Sequence, residues 1–309
     1  MPLALVARLD NLDQWRRELA SAMPNETLVV WPDIGNAAAV DIALVAKPPP
    51  GALATLPNLR LVASLWAGVD GLLADPTLPA GVPITRLIDP ALTGAMVESV
   101  VMHVLCAHRL APRYRAQARH GRWIQHEQPA AAERTVGILG FGELGRACAQ
   151  ALRALGFRLI GWTRSPRRGE SIELKHGADG LAHVLAGSDI VVSLLPGTAE
   201  TRGLLDAPRL AAMKRGASLI NVGRGSVIDD AALLGALDAG RLEAAILDVF
   251  ATEPLPPEHP YWRHERVWVY PHVAAETDPR AAARVVADTI RRFRAGAALP
   301  EHVDRQRGY

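Results

Sequence analysis

Gly140, Gly142 and Gly145 form a G-x-G-x-x-G run between the apolar stretch Thr135–Leu139 and an amphipathic stretch at residues 143–155. In a strand, turn and helix of this kind, the first glycine makes the tight turn and the second lets a pyrophosphate approach the backbone. The third lets the helix pack closely on the strand. Glu143 and Leu144 open the helix, whose N-terminus offers free N–H groups and the positive end of its dipole to phosphates. A bare glycine run is a weak signal, because Gly-rich turns are common. Here a second strand at residues 158–162 completes a βαβ unit, and the run points to dinucleotide binding.

Three later segments end strands on polar residues, at the edge where open α/β sheets bind ligands. Asn221-Val222-Gly223-Arg224-Gly225-Ser226 sets an arginine between two glycines, and residues 247–256 carry Asp248 and Glu253. Tyr270-Pro271-His272 places a histidine after the last strand. Taken singly, Arg224 reads as a helix-capping cation, Glu253 as a solvated loop carboxylate and His272 as a satisfied core imidazole. Earlier, Ser64-Leu65-Trp66-Ala67-Gly68-Val69-Asp70 ends a strand on small residues. The exposed N–H groups there suit either a carboxylate cradle or a plain strand-to-helix turn.

The elements that must position these residues alternate along the chain. Apolar runs at 3–6, 27–31, 42–46, 61–64 and 84–87 predict a first small parallel sheet. Runs at 135–139, 158–162, 190–194, 218–222, 244–247 and 267–270 predict a second sheet of six strands. Helices are expected at 13–23, 95–118, 143–155, 231–239 and 279–295, the last returning to the first domain. Glu98, His103 and His108 on the second of these read as solvated or core-satisfied groups. With 309 residues, 49% hydrophobic content, 21% charged residues and a net charge of +2, the chain reads as an ordinary globular protein with no electrostatic reason to bind nucleic acid or membrane. Cys106 and Cys148 suit a reducing compartment and belong to no recognisable ligand cluster, so no metal site is assigned. No apolar run is expected to reach transmembrane length and the N-terminus has no basic leader, which gives a cytoplasmic reading.

In order, the glycine fingerprint, N-V-G-R-G, D-V-F-x-x-E-P-L-P and P-H resemble the D-isomer-specific 2-hydroxyacid dehydrogenase family along essentially the whole chain. L-W-A-G-V-D at 65–70, Y-W-R-H at 261–264 and V-D-R-Q-R-G-Y at 303–309 are similar to its glyoxylate/hydroxypyruvate reductase A group. The resemblance implies two doubly wound parallel-sheet α/β domains. A Rossmann dinucleotide-binding domain (residues 99–276) is inserted into a smaller flavodoxin-like substrate domain (1–98 and 277–309). It implies reduction of a small 2-keto acid, glyoxylate or hydroxypyruvate, to glycolate or D-glycerate, and a homodimer formed through residues 95–123. The alternatives are a dehydrogenase for a larger D-2-hydroxy acid and a non-enzymatic dinucleotide-sensing regulator.

By the same resemblance, Arg224 pairs with the substrate's carboxylate and carbonyl oxygen, His272 protonates the ketone oxygen, and Glu253 holds the imidazole's other nitrogen. Trp66, Ala67, Gly68 and Val69 complete the substrate site. Asp248 accepts from the nicotinamide carboxamide, and Leu195 and Pro196 line the adenosine side. NAD-using relatives carry an acid after the second strand, for the ribose diol. Here Thr163 stands in that place, followed by Arg164, Ser165, Arg167 and Arg168 with no carboxylate in the turn. The expectation is recognition of a 2′-phosphate, hence NADPH with NADH as the lesser cofactor. In Ala46-Lys47-Pro48, where related proteins carry bulkier aromatic or imidazole groups, Lys47 is either an extra carboxylate partner or a solvated loop lysine.

Overall fold

The computed structural model describes residues 1–167 and 169–308; Arg168 and Tyr309, both named above, lie outside the described residues. The chain divides into two units, Met1–Leu92 with Glu276–Tyr309, and Thr93–Ala275. The first crossing falls inside the helix Pro90–His108, ahead of the boundary expected at residue 98, because that helix gives Met96, Val100 and Val104 to the second unit's core.

In the first unit, short apolar strands buried on both faces form a parallel sheet. Its strands are β1 (Leu3–Ala7), β2 (Leu28–Val30), β3 (Ile42–Ala46), β4 (Leu61–Ser64) and β5 (Ile84–Thr85), in the flavodoxin-like order β2-β1-β3-β4-β5. One face packs Leu3, Leu5 and Leu44 against Trp15 and Leu19 of helix Leu12–Ala22 and Val286 and Ile290 of helix Pro279–Arg294. Asp278 caps the latter helix by accepting from the Arg280 N–H at 2.9 Å. At its other end, Arg294 pairs with Glu26 and with the wholly buried Asp41.

In the second unit, β6 (Thr135–Leu139), β7 (Arg158–Thr163), β8 (Glu173–His176), β9 (Ile190–Ser193), β10 (Ala217–Asn221), β11 (Leu242–Leu247) and β12 (Val267–Val269) form a parallel sheet ordered β12-β11-β10-β9-β6-β7-β8. The run β8-β7-β6-β9-β10-β11 is the doubly wound dinucleotide-binding order, and β12 is added beyond β11. The sheet has seven strands where six were expected. The extra one, β8, reads Glu-Leu-Lys-His and has no apolar run, because an edge strand can face solvent and carry charge. The helix expected at 95–118 is two helices, Pro90–His108 and Ala111–Arg119, with Leu110 left-handed at φ 56° between them. Pro112 explains the break: it cannot donate to the preceding turn and sits instead in the first turn of a new helix. Pro90–His108 also corrects the expectation about apolar runs, since its 19 residues are long and apolar enough to cross a membrane by length and composition alone. Buried Val100 and Val104 instead pack it against β6 and β9.

Candidate active site

At the carboxyl end of β6, the chain turns through Gly140 at φ 95°, and a Cβ added there would lie 3.0 Å from the Leu194 carbonyl oxygen. At Gly145 an added Cβ would lie 2.3 Å from the Gly140 carbonyl oxygen, so only glycine lets helix Glu143–Ala154 sit this close to the loop. Gly142 is different: a Cβ there would meet nothing within 4 Å. The loop is thus closed at its two ends and open in the middle, beside the helix N-terminus. The residues present fit a dinucleotide's pyrophosphate.

The turn after β7 holds the residues expected to choose the cofactor. The Thr163 hydroxyl donates to the Ser165 carbonyl at 2.8 Å, and Arg167 donates to the Phe141 carbonyl at 2.8 Å, tying this turn to the glycine loop. Ser165 is exposed. Residues 163–167 carry no carboxylate, but two lie nearby, Glu170 further along the same β7–β8 connection and Glu200 beyond β9. Arg164 pairs with Glu200, and Glu170 pairs with Arg146 at 3.0 Å. The hydrogen bond from Arg146, opposed by slight burial and helped by the charges of Arg146 and Arg167, holds the Glu170 carboxyl below its ordinary range. Arg146 also pairs with Glu143, so that carboxylate is neutralised at the helix start.

Arg224 lies between two packing glycines. A Cβ on Gly223 would come 2.6 Å from the Leu195 carbonyl oxygen, and one on Gly225 would come 1.9 Å from the carbonyl carbon of Phe250. The loop after β10 is therefore pressed between Leu194-Leu195 on one side and the segment after β11 on the other. Asn221, wholly buried, ties the loop by donating to the Arg224 carbonyl at 3.0 Å and accepting from the Gly223 N–H at 3.2 Å. The Arg224 guanidinium donates to the Gly223 carbonyl at 2.8 Å.

Glu253 and His272 meet. Nδ1 of His272 lies 2.7 Å from Oε2 of Glu253, and Oε1 accepts the Phe250 N–H at 2.9 Å. With a carboxylate as acceptor, Nδ1 carries the proton and Nε2 faces away from Glu253. Burial pushes the Glu253 carboxyl up, but the hydrogen bonds from His272 and Phe250 and the charges of His272 and Arg224 outweigh it. The net effect is a carboxyl below its ordinary range.

His272 is left-handed, φ 57°, a conformation that costs a side-chain-bearing residue roughly 1–2 kcal/mol. Asp248 explains how it is held. Its carboxylate, 1% exposed, accepts the Val273 N–H on one oxygen and the Ala274 N–H on the other, each at 2.9 Å. Hydrogen bonds to a charged group contribute about 1.5–3 kcal/mol each, enough to offset the strain. Burial raises the Asp248 carboxyl above its ordinary range despite these two bonds. The Ser99 hydroxyl donates to the Ala274 carbonyl at 2.7 Å and fixes the far side of the loop.

In the first unit, Trp66, Ala67, Gly68 and Val69 leave β4 at its carboxyl end. Among the described residues the amides of Ala67, Gly68 and Val69 donate no hydrogen bond to another backbone group, as a carboxylate cradle requires. Missing from the sequence reading were Asn221 as the tie of the arginine loop, Asp248 as the clamp on His272, and Glu200 as the partner of Arg164. N-V-G-R-G already contained the first, while nothing local signalled the other two.

Residues 101–274 match the D-isomer specific 2-hydroxyacid dehydrogenase, NAD binding domain. The chain belongs to the D-isomer-specific 2-hydroxyacid dehydrogenase family. Its members are NAD(P)-dependent oxidoreductases, and the chain is an enzyme of that class. It is 39% identical to a glyoxylate/hydroxypyruvate reductase A from Serratia proteamaculans over 97% of both chains. Among solved structures, it is similar to a D-isomer specific 2-hydroxyacid dehydrogenase from Xanthobacter autotrophicus in complex with NADPH and MES. The identity is 43% and the TM-score 0.94, covering 100% of this chain and 99% of the other. A NADPH-dependent glyoxylate/hydroxypyruvate reductase from Sinorhizobium meliloti, in complex with NADP and sulfate, is 38% identical with a TM-score of 0.92, again covering 100% and 99%.

Proposed function

We propose that the chain is an NADPH-dependent reductase of small 2-keto acids, with glyoxylate and hydroxypyruvate as its substrate class. The observation that carries this reading is the His272–Glu253 pair, fixed on a strained loop by Asp248 in the same unit as an open dinucleotide loop. The names of the Serratia and Sinorhizobium relatives and the NADP-bound neighbours support the substrate and the cofactor.

The dinucleotide, when bound, supplies the hydride. The backbone at Gly140, Gly142, Glu143, Leu144 and Gly145 holds its pyrophosphate. Thr163, Arg164, Ser165 and Arg167 take the 2′-phosphate, while Leu195 and Pro196 line the adenosine. Arg224 grips the carboxylate and carbonyl oxygen of the keto acid with its planar fork, polarising the carbonyl. Nε2 of His272 gives a proton to the ketone oxygen, and Glu253 on Nδ1 steadies the ring through the transfer. In the first unit, the amides of Ala67, Gly68 and Val69 and the Trp66 ring serve the substrate. Asp248 holds the His272 loop and can also accept from the carboxamide.

Exposed Trp123 (93%), Met102 and Leu105 support a homodimer through residues 95–123. The two free cysteines suit the reducing cytoplasm. Steady-state kinetics on glyoxylate, hydroxypyruvate and pyruvate with NADPH and NADH tests the function, and light scattering tests the dimer. The expected outcome is turnover of the first two with NADPH favoured over NADH by about tenfold or more in kcat/KM. Preference for NADH, or no turnover, overturns the reading.

A further inference from the structure

The five-stranded sheet carries a cation that the reduction itself does not use. Lys47 directly follows β3 and is left-handed, φ 44°, immediately before Pro48. A residue with a Cβ, and one preceding proline, is disfavoured in that region. Its ammonium stands 5.3 Å from the centre of the Trp66 ring, a cation–π distance. Among the described residues, this ring is the ammonium's one close partner.

The backbone of Trp66 is fixed. Its N–H donates to the Ser64 hydroxyl oxygen at 3.1 Å, that hydroxyl donates to the Trp66 carbonyl at 2.9 Å, and the Leu87 N–H reaches the same carbonyl at 3.0 Å. β3 and β4 are neighbours with Val45 opposite Ser64, so Lys47 and Trp66 leave the sheet at one edge. From Trp66 the chain runs straight into the three undonated amides of Ala67, Gly68 and Val69. Two anion-binding groups of different kinds therefore stand at the same edge, with an aromatic face between them in sequence. A molecule with a single carboxylate occupies one of them. Glyoxylate and hydroxypyruvate have no second anionic group for the other.

We propose that Lys47, held over the Trp66 ring at the same end of the sheet as the amides of Ala67, Gly68 and Val69, selects 2-keto acids that carry a second, distal carboxylate. The first carboxylate sits on the amides, the carbon chain lies along the indole, and the distal carboxylate meets the ammonium. This assignment rests on the reading of the chain as a 2-keto acid reductase and extends its substrate class from glyoxylate and hydroxypyruvate to dicarboxylic 2-keto acids.

Paired substrates of equal chain length test it. Oxaloacetate is compared with 2-oxobutyrate, and 2-oxoglutarate with 2-oxopentanoate, with hydroxypyruvate alongside, all with NADPH. The wild-type enzyme is expected to favour the diacid in at least one pair by about tenfold in kcat/KM. Lys47→Met should bring that ratio close to one, and Lys47→Arg should retain most of it. Equal use of both members of each pair, or a ratio that survives Lys47→Met, overturns the proposal. If hydroxypyruvate is turned over in that case, the reductase reading stands without it; if no 2-keto acid is reduced, both fall.

Discussion

At the edge of the seven-stranded sheet, the groups assigned to chemistry are held by backbone. Phe250 donates to Glu253, Val273 and Ala274 donate to Asp248, and Arg224 is pressed between glycines that leave no room for a Cβ. At the edge of the five-stranded sheet, the amides of Ala67, Gly68 and Val69 donate to no backbone group among the described residues, and Lys47 rests on an indole face. The difference separates two tasks. Proton transfer gains most from groups aimed in advance, because reorganisation at the moment of reaction adds to the barrier. Discrimination among keto acids is made by groups whose hydrogen-bonding capacity is kept for the ligand and whose side chains can change without moving the catalytic loop.

The comparison breaks most visibly at His272. His272→Ala should lower kcat by roughly two or more orders of magnitude while NADPH affinity stays close to wild type, as read by steady-state kinetics and cofactor titration. Near-normal turnover would remove the histidine from the chemistry. The partner contact also has a pH signature. Because the Glu253 carboxyl is held below its ordinary range, its pairing with His272 is complete above that range and lost only as pH falls through the lowered value. The acid limb of kcat/KM should therefore lie below pH ~4.3, the ordinary glutamate value.

A middle-sized effect comes from the glycines. Gly225→Ala would drive a methyl into the Phe250 backbone and should cost about 1–3 kcal/mol or more, a fall of several degrees in Tm. Gly142→Ala meets open space and should leave Tm within about a degree while raising the KM for NADPH. Equal thermal shifts for the two variants would show that the open middle of the loop is not reserved for a ligand. The smallest effect is expected at Glu200, whose pairing with Arg164 competes with a 2′-phosphate. Since exposed pairs contribute about 0.2–1 kcal/mol, Glu200→Gln should raise the NADPH over NADH preference by up to about fivefold. A lowered ratio would mean that Glu200 aims Arg164 rather than diverts it.

Much of this was legible because burial on both faces leaves a continuous apolar run bounded by turn residues. β3 and β4 fall where Ile42–Ala46 and Leu61–Ser64 predict them. β8 was not, because the outermost strand needs no such run, and the break at Pro112 is masked by the apolar periodicity that continues on both sides of it. Within the candidate site, Arg224, Glu253 and His272 stood out because each follows a strand at the ligand edge. The two N–H bonds to Asp248 depend on the left-handed turn at His272, which the residues before and after a histidine do not announce. Glu200 lies 36 positions from Arg164, and only the folded sheet brings them together.

The clamp that Arg294 makes on Glu26 and Asp41 bears on the order of assembly. Residues 93–275 can complete their sheet as soon as they leave the ribosome. The five-stranded sheet waits, with Trp15 and Leu19 uncovered, until helix Pro279–Arg294 arrives to supply Val286 and Ile290. Until then Asp41 has no arginine to accompany it out of water, and burying a lone carboxylate costs several kcal/mol. The nascent protein is therefore expected to close its first-made strands last, so that the half carrying Lys47 and Trp66 should be cut sooner than the dinucleotide half when refolding is followed by pulse proteolysis.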